Sequence, residues 1–410
     1  MGLREAAVAH FCFCHLDWLS TVAILPNVGL DTGMNSPTQR RVAVVNSAQT
    51  VLSPAWRDRQ HIDLISEAVT GALKGTGIRI EDVDFVIDSG SDFLDGRSIS
   101  NCGFLGAMGA HHKEESRVEE DGLWAFSYGA NKIAAGAASI GLIIAYSKPS
   151  ESVVSNFWAD MLEPFTQRPL GLDHESAAAL YGQRYLAKAG LSADDLQAVS
   201  RRAYRLAVQN ASVELDEVPD DEAFWSADVS SPLRRADLAR PVDGAVAVLL
   251  ASASVAHQIT SRPVWITGVG SAIDQHFIAA REPDSLPAAT AAMKSALRMA
   301  GTESAKEYDL VEISATSTVG ELMVTEALGL AEQYQGIELY RNDNELLNPS
   351  GGGLPADVIM ATGLVRLHEA TSRLSGRSAG ETTDATSALV HGTGGFSMQN
   401  HCVVTMEVAS

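Results

Sequence analysis

The stretch "NPSGGGLPADVIMATGL", residues 348–364, is the most informative part of the sequence for predicting the architecture. It opens with Asn-Pro-Ser and three glycines, a combination that interrupts regular structure. An apolar helical pattern then follows at about 357–374. Because glycine permits close backbone approach, the run Gly351, Gly352 and Gly353 can bring backbone amides close to a ligand. It can equally form a tight turn between packed layers.

Working outward from this stretch, the chain shows one order of patterns twice, separated by about 220 residues, as expected for a duplicated unit. The first copy has a strand at 42–45, an amphipathic helix at 61–77, a strand at 81–90, a helix at 122–137 and a strand at 140–146. The second has a strand at 264–270, a helix at 288–301, a strand at 306–315, the helix around 357–374 and strands near 386–391 and 401–408. Apolar strands alternating with helices predict α/β sheets buried on both faces.

The helices at 122–137 and 355–374 are rich in Ala and Gly, which suits a layer enclosed between two sheets. We therefore predict an α/β fold with duplicated βαβαβ halves in a five-layer α-β-α-β-α sandwich. The halves are predicted at 34–255 and 256–410.

The first half contains an insertion at 148–240, which has more Trp, Pro and charge and carries a helical run at 174–210. We expect it to cover a sheet edge and to shape a pocket. The strand 244–252 closes this half.

Composition limits the classes of function. The 410-residue chain has a formal net charge of −21, which argues against nucleic acid or an anionic membrane as its main partner. No apolar run reaches the roughly 18 residues of a membrane span. The four cysteines fit a reducing cytosol, and the pattern Cys12-Phe-Cys14-His15 is too short to predict a metal site.

The N-terminal segment 1–33 shows no clear hydrophobic period. We expect it to be a disordered or mis-annotated leader, with Met34 as the natural start.

Three motifs carry a resemblance to a known family. They are "RPVDGAVAVLLAS" (240–252), "NPSGG" with "ATG" (348–352 and 361–363) and "HGTGGFSMQN" (391–400). Together they resemble the thiolases, over about 42–408.

Three further motifs narrow the resemblance to the sterol-carrier-protein-x and lipid-transfer branch. These are "GRSIS" (96–100), "SRVEEDGLWAF" (116–126) and "AYSKPSES" (145–152). That branch implies a role in acyl-CoA or steroid catabolism.

The resemblance also implies where catalytic residues belong, and this chain departs from the pattern. The nucleophilic cysteine of thiolases corresponds to Asp121–Gly122, and the histidine of their Gly-His-Pro motif to Asp357. Their second cysteine falls near Gly392–Gly394, and the asparagine that helps hold a catalytic water becomes Ser314. Condensation through an acyl-enzyme is therefore not expected.

Retro-aldol cleavage of a β-hydroxyacyl-CoA remains possible in such a fold. It needs a CoA site, one base and donors that stabilise an enolate, but no covalent intermediate. Related steroid side-chain aldolases use tyrosines as acid and base, beside a partner with an OB fold and a zinc ribbon. The tyrosine expected near Ser314 is absent here.

Other residues must therefore supply the base. Asp121 and Asp357 are candidates, each of which can instead cap a helix. His391 can be catalytic or structural, and Ser314 can hold a water or satisfy backbone. Glu119 and Glu120 are expected to be solvent or interface charges, and Tyr128 to be core.

The expected ligand is a CoA thioester as substrate, with no permanently bound cofactor and no metal. Its candidate binding residues are Gly351, Gly352, Gly353, Gly394 and Gly395.

A non-catalytic thiolase-like subunit or acyl-CoA carrier is the alternative function. Filling of the pocket by Leu354, Met360 or Phe396 would favour it. Thiolase activity itself would require Cys102. We further expect a homodimer, or a heterotetramer with the small OB-fold partner, that pairs through the apolar strand 140–146 as an exposed edge.

Overall fold

The computed structural model describes residues 40–377 and 384–408. The predicted leader 1–33, Met34 and the Cys12–His15 pattern lie outside these residues. No helix in the described part is long and apolar enough to cross a membrane.

The described strands and α-helices follow the alternation expected from the sequence. The strands are β1 Val42–Gln49, β2 Phe85–Ser89, β3 Glu114–Val118, β4 Ile140–Ser147, β5 Asp228–Ser230, β6 Leu233–Arg234, β7 Gly244–Ser252, β8 Val264–Ile273, β9 Leu310–Ile313, β10 Ser387–Gly394 and β11 Asn400–Val408. The α-helices are α1 His61–Leu73, α2 Leu105–Met108, α3 Gly122–Ala134, α4 Val154–Asp160, α5 His174–Ala189, α6 Gln197–Ala207, α7 Glu222–Ser226, α8 Ala253–Ile259, α9 Pro287–Ala300, α10 Thr318–Ala327, α11 Ile337–Arg341 and α12 Thr362–Leu374.

The sheet topology confirms the duplication. Nine strands run in the order β3-β2-β4-β7-β1-β8-β11-β10-β9. In the first half β2 and β4 are parallel, while β4, β7 and β1 follow one another antiparallel. The second half repeats this, with β9 and β10 parallel and β10, β11 and β8 antiparallel. Only β3 lacks a counterpart among the described strands of the second half.

The two predicted sheets are joined edge to edge by a short antiparallel seam between β1 and β8. Ala43 pairs with Trp265 and Val44 pairs with Val264. The two half-sheets therefore meet at their first strands, as two copies related by an approximate twofold axis would.

Helices α3 and α12 form the predicted middle layer. Leu123 of α3 and Leu364 of α12 lie in one core cluster with Val246 of β7 and Val404 of β11. The packing is tight, since a Cβ atom on Gly122 would lie 2.6 Å from Ala145 Cβ and 2.8 Å from Leu364 Cβ. Small residues are thus required here, as the sequence predicts.

The outer layers flank the two half-sheets. On the first half, α1 buries Leu64 and Ile65 in a cluster with Val45 of β1 and Leu249 of β7. On the second half, α9 lies so close to β8 that a Cβ on Gly270 would overlap the Ala292 carbonyl oxygen. These contacts complete the five-layer arrangement.

The prediction that strand 140–146 forms an exposed edge is wrong. This strand is β4, which lies between β2 and β7, with all eight residues buried. Its apolar character reflects burial on both sides, because β7, which follows the insertion, pairs with its outer side and β1 lies beyond β7. The edges of the described sheet are β3 and β9.

Several predicted bounds also shift. The helical run 174–210 divides into α5 and α6, because Gly190 takes a left-handed conformation that ends α5. The helix after the glycine run begins at Thr362, since Met360 has a φ of +74° that no helix accommodates. Residues 348–361 are therefore mostly loop.

A buried polar network holds the Asn-Pro-Ser-Gly-Gly loop in place. Asn348 Oδ1 accepts the Ile313 amide at 2.7 Å, and Asn348 Nδ2 donates to Glu321 Oε1 at 3.0 Å. Ser350 Oγ donates to Glu312 Oε2 at 2.7 Å, and Arg366 Nη1 lies 3.2 Å from the same oxygen. The motif therefore ties the end of β9 to α12.

Breaking the Glu312–Arg366 pair should destabilise the fold. Arg366 is 1% exposed, so Arg366→Met leaves a buried carboxylate without its cation. We expect a loss of about 3 kcal/mol in the free energy of unfolding, measured by urea denaturation. The double variant Glu312→Gln/Arg366→Met should recover most of it. Arg341→Ala, which breaks surface pairs with Glu338 and Asp195, should cost about 1 kcal/mol or less. Equal losses for both single variants would contradict the argument.

Candidate functional site

A cleft of about 40 Å³ opens where the N-termini of α3 and α12 meet. One wall is apolar and comes from α4 and the loop after it, as expected of an insertion that shapes a pocket. Three carboxyl groups, those of Glu120, Asp121 and Asp357, also line it. The lining residues are Glu120, Asp121, Phe157, Trp158, Met161, Ser314, Ala315, Thr316, Asp357, Ile359, Met360, Thr362, Thr393, Gly394, Gly395 and Met398. No lysine, arginine, histidine or cysteine is among the described residues that line it.

Asp121 joins the two helices of the middle layer. Its Oδ1 accepts the Leu123 amide of α3 at 2.9 Å, and its Oδ2 accepts the Gly363 amide of α12 at 2.8 Å. Burial raises the pKa of this carboxyl to about 7, and the two amides oppose that rise by favouring the ionised form. Asp121 thus caps both helices while it lines the cleft.

Asp357 stands at the entrance to α12. The Thr362 hydroxyl donates to its Oδ1, and its second oxygen accepts no hydrogen bond from the described residues. Its backbone is fixed, because its amide donates to the Arg240 carbonyl at 2.9 Å and its own carbonyl accepts the Val242 amide at 3.0 Å. Burial raises the pKa of Asp357 to about 6. Its free oxygen can therefore accept a proton near neutral pH.

Ser314 lines the cleft, whereas His391 lies behind its wall. The Ser314 hydroxyl donates to the His391 carbonyl at 3.3 Å and accepts the Thr393 amide at 3.1 Å. The His391 side chain is fully buried, with Nε2 2.9 Å from Nδ1 of His401. Burial holds the pKa of His391 well below its ordinary value, so the imidazole stays neutral.

Glu120 lines the cleft as well, although the sequence suggested a solvent or interface charge. Asn400 Nδ2 donates to its Oε2, and the Asp121 amide donates to its Oε1 at 3.2 Å. A Cβ on Gly394 would overlap Oε1, so the carboxyl occupies space that the glycine leaves open. Burial raises the pKa of Glu120. Its neighbour Glu119 is exposed and pairs with Arg117 at 3.1 Å.

The two glycine runs take different positions. Gly394 and Gly395 line the cleft, while Gly351, Gly352 and Gly353 are buried outside it. At Gly351, with a φ of +99°, a Cβ would lie 2.9 Å from the Ala207 amide nitrogen of α6, and at Gly353 one would lie 3.2 Å from Thr362 Cγ2. Gly353 therefore packs directly behind the cleft wall.

The remaining candidates lie away from the cleft. Cys102 is exposed, and Cys402 is buried in β11, where burial raises the pKa of its thiol. Tyr128, predicted to be core, is 44% exposed on α3. That prediction is wrong because Tyr128 faces outward from the middle layer.

Comparison with known proteins agrees with this architecture. Residues 270–407 match the thiolase C-terminal domain-like family. An acetyl-CoA acetyltransferase of Methanothermobacter thermautotrophicus (strain Delta H) is 26% identical over 360 residues, covering 83% of this chain and 92% of that protein.

Among solved structures, the Ltp2-ChsH2(DUF35) aldolase has a TM-score of 0.75 at 19% identity, covering 90% of this chain and 97% of that one. Human mitochondrial 3-ketoacyl-CoA thiolase has a TM-score of 0.68 at 16% identity, covering 91% and 100%. A monomeric SCP2-thiolase-like protein type 1 from Mycobacterium smegmatis has a TM-score of 0.67 at 18% identity, covering 91% and 78%. The chain therefore has the fold of the thiolases, and its residues 270–407 match their C-terminal domain.

The raised pKa of Asp121 predicts a pH-dependent contribution to stability. Because the folded pKa of about 7 exceeds the ordinary aspartate value of 3.8, the folded state holds a proton that the unfolded state releases between these values. Stability from this group is therefore present below about pH 4 and is lost as the pH rises to 7.

Asp121→Asn should remove this dependence. The difference in the free energy of unfolding, wild type minus variant, should decrease as the pH rises from 5 to 7. The expected slope is up to about 1.4 kcal/mol per pH unit. Urea denaturation at three pH values measures this, with the exposed Asp58→Asn as control. Parallel profiles for wild type and Asp121→Asn would show that the group does not titrate as inferred.

Proposed function

We propose that this protein is an acyl-CoA carbon–carbon lyase that cleaves a β-hydroxyacyl-CoA by a retro-aldol reaction without a covalent intermediate. The observation that carries the proposal is the cleft itself. It places Glu120, Asp121 and Asp357 beside two helix N-termini, with no cysteine among its described lining residues. Proton transfer is the chemistry that such carboxyl groups supply.

Asp357 is the proposed base. Its free oxygen takes the proton of the β-hydroxyl group, the Cα–Cβ bond breaks, and Cβ becomes the carbonyl of a ketone or aldehyde. The electron pair moves into the enolate of the CoA thioester. The N-termini of α3 and α12, each a 13-residue helix, direct partial positive charge toward the developing oxyanion.

The lining of the cleft favours the acyl end of the substrate. Three carboxyl groups without a lysine, arginine or histidine among the described lining residues disfavour the CoA phosphates, so these bind elsewhere. The apolar wall of Phe157, Trp158 and Met161 suits a bulky hydrophobic acyl group, as in lipid or steroid catabolism. Gly394 and Gly395 remain the proposed contacts of the thioester.

Two observations favour a lyase over the alternatives. Of the three residues that could have filled the pocket of a non-catalytic subunit, Leu354 and Phe396 are buried outside the cleft. The third, Met360, lines the cleft, and space remains beside it. An acyltransferase, as the Methanothermobacter thermautotrophicus relative is named, would need the cysteine nucleophile of thiolases, and no cysteine is among the described lining residues.

We also propose a cytoplasmic homodimer that works with a small OB-fold, zinc-ribbon partner. The Ltp2-ChsH2(DUF35) aldolase combines Ltp2 with a second protein, ChsH2, which supports a partner subunit. With β4 inside the sheet, the edge strand β3 is the place for a second copy. The Mycobacterium smegmatis neighbour is described as monomeric. Light scattering at several concentrations measures the oligomeric state directly.

The activity is tested by mass spectrometry of acyl-CoA products. The protein, alone and with an OB-fold partner, is incubated with a panel of β-hydroxyacyl-CoAs that includes steroid thioesters, without free CoA. We expect a shortened acyl-CoA together with a ketone or aldehyde.

Asp357→Asn should lower the cleavage rate by about 10²-fold or more, because the base is lost while the shape is kept. Asp58→Asn, an exposed acid outside the cleft, should cleave at the wild-type rate. Unchanged substrate throughout the panel would instead favour the non-catalytic subunit.

A further inference from the structure

Retro-aldol cleavage requires proton transfer at two different atoms. The base removes a proton from the oxygen on Cβ, and the enolate that remains must then gain a proton at Cα. After cleavage Asp357 is protonated and faces the new carbonyl product, which separates it from Cα. A second acid on another side of the cleft would protonate Cα before the product leaves.

Asp121 is poorly placed for this second role. Both of its oxygens already accept helix amides, one from α3 and one from α12. Moving its proton would disturb the caps of both helices. Glu120 also accepts hydrogen bonds at both oxygens, but it caps no helix and is partly exposed. Among the carboxyl groups that line the described cleft, Glu120 and Asp357 are then left for proton exchange with a ligand.

Hydrogen bonds hold the carboxyl group of Glu120 in a fixed orientation. Asn400 fixes Oε2, the Asp121 amide fixes Oε1 at 3.2 Å, and the Gly395 amide provides a further hydrogen bond. The missing side chain of Gly394 makes the space for it. Such fixed orientation on a cleft wall is what a proton donor needs, whereas an ordinary surface glutamate would be free to turn.

We propose that Glu120 is the catalytic acid that protonates Cα of the CoA enolate. This rests on the proposed lyase function. In the balanced step, Asp357 gains the hydroxyl proton, the Cα–Cβ electron pair passes through the enolate to a new Cα–H bond, and Glu120 loses its proton. Transfer of one proton from Asp357 to Glu120 through solvent restores the starting state.

A half-reaction can distinguish the role of Glu120 from that of Asp357. In D₂O, a group that protonates the enolate also catalyses exchange of the Cα hydrogens of a product acyl-CoA, and this exchange needs no carbon–carbon cleavage. The probes are acetyl-CoA and propionyl-CoA, followed by proton NMR. Cleavage of β-hydroxyacyl-CoAs is measured in parallel by mass spectrometry.

We expect the wild-type protein to exchange the Cα hydrogens and Glu120→Gln to lose this exchange by about 10²-fold or more. Asp357→Asn should retain exchange while it loses cleavage. Gly394→Ala, which displaces the Glu120 carboxyl without changing its chemistry, should behave like Glu120→Gln. The neighbouring exposed residue provides the matched control, so Glu119→Gln should match the wild type in both assays.

Other outcomes overturn the inference. Exchange that survives in Glu120→Gln assigns the Cα proton to another group. If exchange is also lost in Asp357→Asn, that group is Asp357. Absence of exchange by the wild-type protein overturns it whether or not cleavage occurs. Exchange that depends on Glu120 without cleavage of any substrate supports the inference and rejects the lyase function, so the two failures are distinguishable.

Discussion

The carboxyl group of Asp121, shared between two helix N-termini, is the interaction on which the rest of the site depends. It receives the Leu123 amide from one half of the chain and the Gly363 amide from the other. The backbones are close enough that the Gly122 amide also donates to the Met360 carbonyl at 2.8 Å, and a Cβ on Gly363 would overlap Asp121 Oδ1. Glycine in a helix costs about 1 kcal/mol relative to alanine. The close packing of the middle layer offsets that cost.

This contact also determines the chemistry of the cleft. Gathering Glu120, Asp121 and Asp357 in one partly dehydrated space raises the pKa of each, chiefly through burial. Protons therefore remain on some of these groups near neutral pH. A ligand that exchanges protons with them is favoured over one that brings negative charge, and the apolar residues of α4 add affinity for a hydrophobic group.

Sequence patterns predicted the parts of the fold that are local or repeated. The apolar strands, the small-residue helices and the duplication could all be inferred, because each leaves a signature in consecutive residues. The interior position of β4 could not, because strand order depends on β7 and β1, which are distant in sequence. The resemblance placed Asp121, Ser314 and Asp357 together, and they do line one cleft. His391 lies behind the wall, and Glu120 was missed because its space depends on Gly394, far along the chain.

The short seam between β1 and β8 makes the molecule a fused pseudo-dimer. Its two halves meet through the same strand, as the subunits of a twofold-symmetric dimer do. In a true homodimer, every residue at the axis is present twice, so an aspartate that caps both helices would face its own copy at close range. Encoding the halves in one chain removes that constraint. One half supplies the carboxylate and the other the amide of Gly363, an asymmetry that two identical subunits could not achieve.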